Sequence, residues 1–335
     1  MTTTRTAEPA AMRAALFDRY GPADVLRIQD LPIPTPQAGE VLVRVGASSV
    51  NGGEVAARRG ALRLITGRKF PKRTGIDFAG TVTAAGPGVD DAVLDTDVWG
   101  VLDERGATGS HSEYVTTTVD RIAAAPRELT PTDAVSLLAG GTTGLRGLRD
   151  IAGLRPGERL LVRGAAGGVG SIAVQIGKML GAHVTGLASP VTSDFVTALG
   201  ADEVIDYSTP LSRLGQYDVV FDTRGTEHAR LRRLLRRGGR LVTIAFDIDR
   251  PIASLGYIAL STLHGSKRVR LFFGTPSTEL LTELTALAEE GTIRPVVDEV
   301  YPLERIVEAH TRFESGGVEG KIILGNRPSP SASTP

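Results

Sequence analysis

The chain has 335 residues and no cysteine, and its 38 basic and 38 acidic side chains give a formal net charge of zero. The balanced charge gives no reason to expect nucleic acid or an anionic membrane as a partner. The absence of cysteine excludes disulfides, a cysteine nucleophile and any thiolate zinc site.

The two ends of the chain are rich in small, polar and proline residues, so residues 1–11 and 327–335 are expected to be disordered tails. The first residues, "MTTTRTAEPAA", lack the apolar stretch of a signal peptide. No apolar run approaches the roughly 18–20 residues that span a bilayer. Together with the missing disulfides, these features favour a cytoplasmic location.

The first third of the chain is predicted to be β-rich. Short β-branched runs such as "EVLVRVGASSV" are separated by glycine and proline, as in "GTVTAAGPGV". Short strands with frequent turn residues indicate a small barrel-like β domain.

From about residue 126 strands and helices alternate. "RLLVRG", "HVTGLA", "DEVIDY", "YDVVFDT" and "RLVTIAF" are predicted strands, with helical patterns such as "SIAVQIGKMLG" and "TEHARLRRLLRRGG" between them. This alternation is typical of a doubly wound parallel sheet, and the fold class is therefore α/β. The arginines of the last segment are interpreted as a solvated helix face.

A glycine loop joins the first of these strands to the next helix. It contains Ala165, Gly167, Gly168, Val169 and Gly170, with an alanine at the first glycine position of a dinucleotide fingerprint. Gly167 leaves room for a pyrophosphate and Gly170 allows close packing of strand and helix. The backbone N–H groups at the start of the next helix, at Ser171, are expected to be free and to face an anion. A tight turn without ligand is the structural alternative.

The end of the second strand favours NADP(H) over NAD(H). NAD-binding units carry an acidic residue about 20 residues beyond the loop. Here the strand ends at Ala188 and Ser189, whose hydroxyl can donate to a 2′-phosphate, and Tyr207 can add a second hydroxyl. No lysine or arginine follows directly, so the basic partner of the phosphate is not identified.

Taken in order from Met12 to Gly325, several motifs resemble one known family. They include "SSVNGGEVAARRG", "GIDFAGTVTAAGPGV", "GTTGLRGL", "RGAAGGVGSIAVQIGKMLGAHV" and "GGVEGKIIL". The chain resembles the zinc-independent medium-chain dehydrogenases/reductases of the quinone oxidoreductase (zeta-crystallin-like) group.

The resemblance implies two domains and a homodimer. A GroES-like β-barrel domain would comprise residues 12–125 and 266–326, and a Rossmann domain, residues 126–265, would bind NADP(H). The substrate, a small molecule, would enter the cleft between them.

The resemblance also implies that no metal takes part. Zinc-dependent relatives carry a cysteine, a His-Glu pair and a second cysteine, and the matching places here hold Asn51, Ile76-Asp77 and Ala139-Gly140-Gly141. The five histidines are interpreted as solvated or structural, because none pair at a spacing of three or four: His111, His183, His228, His264 and His310.

The family motifs indicate the site residues. Asn51 and Thr143, with Thr142 as a neighbour, would bind the cofactor and polarise the substrate carbonyl; a turn and a helix-start cap are the alternatives. The wall of the nicotinamide pocket would be formed by Phe246, Phe272, Phe273 and Gly274. The alternative is that these are ordinary core or lid residues. Arg224 stands where the family has a small apolar residue, and would touch an anionic ligand or solvent.

Three hypotheses follow for the function. The first is an NADPH-dependent reductase of quinones or α,β-unsaturated carbonyls, in which water is the expected proton source because the family's tyrosine is absent after Arg59-Gly60. The second is a zinc-free alcohol or ketone reductase. The third is an NADP(H)-binding isomerase, cyclase or regulator without net redox turnover.

Overall fold

Three sheets organise the chain in the computed structural model, which describes residues 11–67, 69–102, 109–264, 267–272 and 276–326. The first is small and antiparallel, in the order β2-β1-β4. Its strands are β1 (Ala11–Phe17), β2 (Leu26–Pro32) and β4 (Lys72–Arg73). Ala11, the last residue of the predicted N-terminal tail, is therefore the first residue of β1 instead. Residues 1–10 and 327–335 lie outside the described residues, and the tails predicted there stay predictions.

The second sheet has seven strands and carries most of the β domain. Six of them follow the order β15-β16-β3-β5-β6-β8, and β7 pairs with β3. Their bounds are β3 (Glu40–Ser49), β5 (Asp77–Ala85), β6 (Asp97–Val101), β7 (Tyr114–Thr118), β8 (Ile122–Ala124), β15 (Val297–Pro302) and β16 (Lys321–Gly325). Since β16 pairs antiparallel with β3, the C-terminal segment returns to the N-terminal sheet.

The third sheet is parallel throughout and has the order β11-β10-β9-β12-β13-β14. Its strands are β9 (Arg159–Arg163), β10 (His183–Ala188), β11 (Glu203–Asp206), β12 (Tyr217–Asp222), β13 (Leu235–Thr243) and β14 (Val269–Leu271). The order reverses beside β9, which is the switch point where doubly wound folds bind ligands. The predicted α/β class, with a β domain and a Rossmann-like domain, is confirmed.

Nine helices connect the strands in the described part of the chain. They are α1 (Gly52–Arg58), α2 (Arg63–Thr66), α3 (Pro131–Gly144), α4 (Gly170–Met179), α5 (Ser193–Ala198), α6 (His228–Arg233), α7 (Pro251–Ser261), α8 (Thr278–Glu289) and α9 (Ile306–Glu314). None of these helices has the length and apolar character that crossing a bilayer requires. A π-helical turn, Leu145–Ile151, continues α3.

Two details differ from the sequence prediction. The helix predicted to reach Gly238-Gly239 ends at Arg233, because Leu235 already pairs with Tyr217 of β12 and the strand pairing overrides the helical spacing of the leucines. In addition, β14 lies beyond residue 265, so the parallel sheet extends past the predicted domain boundary.

The main hydrophobic core joins the two domains. It contains Trp99 from β6, Leu138 from α3, Val162 from β9 and Ile323 from β16, all fully buried. Helix α3 packs on the second sheet and against α4, which packs on β9 and β10 of the third sheet, so α3 and α4 together link the two sheets. The glycine loop after β9 and the N-terminus of α1 therefore meet at this junction.

Candidate active site

The loop between β9 and α4 is a tight turn built on glycine. Gly164 has a φ of +84°, which favours glycine, and a Cβ at Gly170 would lie 1.9 Å from the Gly164 carbonyl oxygen. Only glycine fits at Gly170, as the fingerprint predicts. The tight-turn glycine is Gly164, one residue before the alanine at the predicted position, and Ala165 is fully buried against Gly186 of β10.

One face of this loop is open. At Gly167 a Cβ would find its nearest atom 3.6 Å away, so a ligand can approach the backbone there. The Ser171 amide donates to the Gly167 carbonyl and is not free, which corrects the sequence expectation. The Ser171 hydroxyl, however, is buried and has no hydrogen-bond partner among the described residues. An open glycine face at the start of a helix suits a pyrophosphate.

The polar residues predicted for the adenosine end of the cofactor lie side by side. Ser189 follows β10 and its hydroxyl hydrogen-bonds that of Thr192 at 3.0 Å. The amide of Tyr207 donates to the carbonyl of Ala188 at 3.1 Å. The structure therefore brings Ser189 and Tyr207 together at the ends of β10 and β11.

Arg224 supplies a positive charge at the same place. Partial burial raises the pKa of the Tyr207 hydroxyl, and the charges of Arg224 and Arg163 oppose that rise, so both arginines are near it. The Cδ of Arg224 lies 3.7 Å from where a Cβ on Gly164 would be. Sequence reasoning singled out Arg224 but could not place it, because it follows a different strand, β12.

The two arginines differ in their partners. The guanidinium of Arg163 donates to the carbonyl of Thr226 at 2.6 Å and to the carboxylate of Glu227 at 2.7 Å. The exposed side chain of Arg224 forms no hydrogen bond or ion pair with the described residues; only its backbone amide is bound, to Asp222. Arg224 is therefore the cation that remains available to a ligand.

A buried polar cluster lies at the other end of the site, around Asn51. The Asn51 side-chain amide donates to the Ser49 carbonyl at 2.9 Å and to the Asp77 carboxylate at 3.3 Å. Asp77 is fully buried and also accepts from the Ser49 hydroxyl at 2.6 Å. Asn51 and Asp77, which the family resemblance places at positions of zinc ligands, are thus hydrogen-bonded to each other.

Lys321 completes this cluster and was missed by sequence reasoning. Its ammonium donates to Asn51 Oδ1 at 2.5 Å and to Ser49 Oγ at 2.9 Å, and lies 3.8 Å from Asp77 Oδ2. Burial lowers the pKa of Lys321, and the nearby carboxylates of Asp77 and Glu54 oppose that shift. No short-range pattern in the sequence relates Lys321 to Asn51.

The same lysine connects the cluster to the glycine loop. A Cβ on Gly168 would lie 2.7 Å from the Lys321 Cδ, and the amide of Gly320 donates to the carbonyl of Ala166 at 2.7 Å. Val169, next in the loop, is half-buried. The C-terminal strand β16 therefore holds Asn51 against the loop expected to bind the cofactor.

The two threonines of the "GTTG" motif lie near the C-terminal end of α3, so the alternative of a helix-start cap is wrong. The hydroxyl of Thr142 donates back to the carbonyl of Leu138 at 2.9 Å. Thr143 is half-buried and its hydroxyl has no partner within the part of the chain that the structure describes. Of the two, Thr143 is free to donate to a substrate.

The aromatic residues of the predicted nicotinamide wall are only partly described. The ring of Phe272 packs against Gly147 of the π-helical turn, since a Cβ on Gly147 would lie 3.1 Å from that ring. The backbone of Phe246 packs closely on Gly225, where a Cβ would lie 2.5 Å from the Phe246 nitrogen, and the Phe246 side chain is half-buried. Phe273 and Gly274 lie outside the described residues. The roles of all four residues stay predictions.

Comparisons with known proteins agree with this architecture. The family profile described as "Alcohol dehydrogenase GroES-like domain" matches residues 37–127, and that described as "Zinc-binding dehydrogenase" matches residues 199–324. A solved structure, the quinone oxidoreductase from Coxiella burnetii, has 28% identity and a TM-score of 0.84 over 95% of this chain and all of that one.

Two curated relatives are similar over almost their whole length. The chloroplast envelope quinone oxidoreductase homolog of Arabidopsis thaliana is 32% identical over 93% of this chain and 98% of the relative. The mitochondrial NAD(P)H oxidoreductase RTN4IP1 of Bos taurus is 31% identical over 96% of this chain and 91% of the relative. These relatives are organellar proteins, which contradicts the cytoplasmic location expected from the sequence.

Proposed function

Because the chain belongs to the quinone oxidoreductase-like family of medium-chain dehydrogenases/reductases, we propose that it is an NADPH-dependent reductase of quinones or α,β-unsaturated carbonyls that works without zinc. Membership of this family implies that the protein is an oxidoreductase and that it uses a nicotinamide cofactor. The cluster of Asn51, Asp77 and Lys321 is the observation that carries the finer proposal.

That cluster does not suit a zinc ion. Zinc is held by thiolate, imidazole and carboxylate ligands. Here Asp77 is the only such group in the cluster, and the ammonium of Lys321 lies 3.8 Å from it, where it would repel a cation. Direct oxidation of an alcohol is thereby disfavoured, because this cluster lacks the ligands that would hold the usual Lewis acid.

The available donors suit reduction of a conjugated C=C bond. When bound, NADPH supplies a hydride, and the negative charge that develops on the conjugated oxygen needs hydrogen-bond donors placed in advance. Thr143, whose hydroxyl has no partner among the described residues, is the donor that we propose for this charge. The side-chain amide of Asn51 donates to protein atoms in this structure, so it serves to hold Lys321 and the loop in place.

NADPH is proposed over NADH because of the other end of the site. Ser189 and Tyr207 offer two hydroxyls, and Arg224 offers a cation whose side chain has no carboxylate partner in the described part of the chain. A guanidinium binds phosphate well. A serine stands where NAD-binding units have an acidic residue. Arg224 is therefore proposed as the basic partner of the 2′-phosphate that the sequence could not identify.

The cofactor oxidation assay tests this function. NADPH consumption is expected with quinones and with enones, and not with saturated ketones, whether or not zinc is added. Absence of turnover with every conjugated acceptor would overturn the proposal.

We also propose a homodimer, as the family implies. Helix α7 exposes Ile252, with 88% of its surface accessible, and Leu255 beside β14, which is the edge strand of the parallel sheet. Apolar side chains beside an open sheet edge suit pairing with a second copy. Light scattering of the wild type is expected to give a dimer mass, and that of Ile252→Glu a smaller mass.

A further inference from the structure

Three buried side chains that commonly bind metals meet in the β domain, outside the cluster described above. Glu54 lies in α1, His111 precedes β7 and His310 lies in α9. One possible ligand atom of each lies within 4.8 Å of the others. The three residues are separated by 57 or more positions in the sequence, as the pairs Glu54–His111 and His111–His310 show.

The imidazoles are directed at the same carboxylate. His111 Nε2 lies 2.9 Å and His310 Nε2 3.9 Å from Glu54 Oε1. Both histidines have fully buried side chains, and Glu54 is almost as buried. This places two imidazoles and one carboxylate around a point to which water has little access.

The hydrogen bonds of this group are incomplete. Glu54 Oε2 and both ring nitrogens of His310 are buried and have no hydrogen-bond partner among the described residues. A buried polar atom without a partner costs free energy, so native proteins seldom keep several together without a function or a bound group. His310 in particular is unpartnered on both sides of its ring.

The outer contacts are those that orient metal ligands. Ser48 Oγ lies 2.9 Å from His111 Nδ1, and the backbone N–H of Asn51 donates to Glu54 Oε1 at 3.0 Å. Metal-binding histidines generally use their second nitrogen in such a hydrogen bond, which fixes the ring and its tautomer. His111 has this arrangement, with Nε2 facing Glu54.

We propose that Glu54, His111 and His310 form a binding site for one divalent transition metal ion of the Zn²⁺ type. Imidazole and carboxylate together favour such an ion over Ca²⁺ or Mg²⁺, which prefer oxygen ligands alone. Tetrahedral Zn²⁺ keeps its ligand atoms about 3.4 Å apart, so shifts of roughly 1 Å or less would be enough. Glu54 Oε2, which has no partner among the described residues, is the alternative carboxylate ligand atom.

Such an ion would tie together parts of the β domain that are distant in sequence: α1, the segment before β7 and α9. It would lie behind Asn51, one hydrogen bond from the proposed hydride-transfer cleft, and not in it. Its role would be to hold the N-terminus of α1 in place. This inference does not rest on the proposed reductase activity.

The test is metal content after expression in minimal medium with Zn²⁺ or Co²⁺, since a buried site exchanges slowly. Wild type is expected to retain about one ion per chain and the Glu54→Gln and His310→Gln variants less than about a tenth of that. His183→Gln is the matched control, because His183 is an exposed histidine beside Asp202. No retained metal, or equal metal in all four proteins, would overturn the proposal.

A second measurement needs no variant to fold. The X-ray absorption spectrum of the Zn²⁺-loaded wild type is expected to show scattering from two imidazoles. A spectrum with oxygen neighbours and no imidazole would overturn the proposal. In addition, Ser48→Ala is expected to lower the affinity of the site for Co²⁺ or Zn²⁺ about 10–100-fold, because it removes the hydrogen bond to His111.

Discussion

The ammonium of Lys321 lies 2.5 Å from the side-chain oxygen of Asn51 and links the last strand, β16, to the N-terminus of α1. The same lysine side chain rests against Gly168 of the cofactor loop. The family resemblance places Asn51 at a zinc-ligand position, and in this chain the ammonium of Lys321 lies beside it. This relationship is the structural basis for the reductase proposal.

Removal of the Thr143 hydroxyl tests the donor in the cleft. Thr143→Val is expected to lower kcat with a quinone about 100-fold, since a donor to the developing oxyanion is lost, and to leave the KM for NADPH little changed. Steady-state kinetics measure both. Thr142→Val is the matched control: its hydroxyl is bound inside α3, and it should keep kcat within a few-fold. Equal losses in the two variants would contradict the role of Thr143.

Replacement of Arg224 tests the choice of cofactor. Arg224→Leu is expected to weaken NADPH binding by about 10–100-fold, the value of a hydrogen bond to a charged group, with little effect on NADH. Dissociation constants for both dinucleotides, from fluorescence titration, give the ratio. Arg127→Leu, which removes an arginine side chain that is 89% exposed, should behave like wild type. A parallel loss for NADH and NADPH would exclude a specific contact to the 2′-phosphate.

Two glycines of the cofactor loop separate binding from folding. Gly167→Ala places a Cβ on the open face of the loop, with no protein atom within 3.6 Å, so the protein should fold normally and bind NADPH at least about tenfold more weakly. Gly170→Ala places a Cβ 1.9 Å from a carbonyl oxygen and should destabilise the fold itself. Thermal unfolding and NADPH titration distinguish the two. Unchanged binding in a folded Gly167→Ala protein would place the cofactor elsewhere.

The buried lysine should make stability depend on pH in the alkaline range. Because burial lowers the pKa of Lys321 in the folded protein, the unfolded chain binds more protons between that pKa and the ordinary value of 10.5. Stability relative to Lys321→Met should therefore rise with pH in this window, by at most about 1.4 kcal/mol per pH unit. Urea unfolding of both proteins measures the difference. Parallel curves would mean that Lys321 keeps its ordinary pKa.

The elements that depend on local pattern were predictable from the sequence. Alternating apolar strands and amphipathic helices predicted the parallel sheet. The glycine pattern predicted the loop, because a side chain at Gly170 would not fit where the backbone segments approach closely. The helix predicted after Thr226 was too long, since pairing between Leu235 and Tyr217 outweighs a helical spacing of leucines.

The parts that depend on distant pairing were not predictable in this way. Lys321 lies 270 positions from Asn51, and no periodicity relates a residue of the last strand to the cap of the first helix. Likewise, a spacing of three or four residues identifies only histidine ligands that share one helix. His111 and His310 reach Glu54 from different elements, so no such spacing relates them.

Hydride is proposed to go to a conjugated carbon without zinc, and the position of deuterium transferred from labelled NADPH shows directly whether it does. The enzyme, freed of added metal, would be given an enone with 4R- or 4S-deuterated NADPH, and the product analysed by NMR. The expected product is a saturated ketone with deuterium on the β-carbon, formed with one of the two labelled cofactors. Deuterium on the carbonyl carbon, in an allylic alcohol, would contradict it.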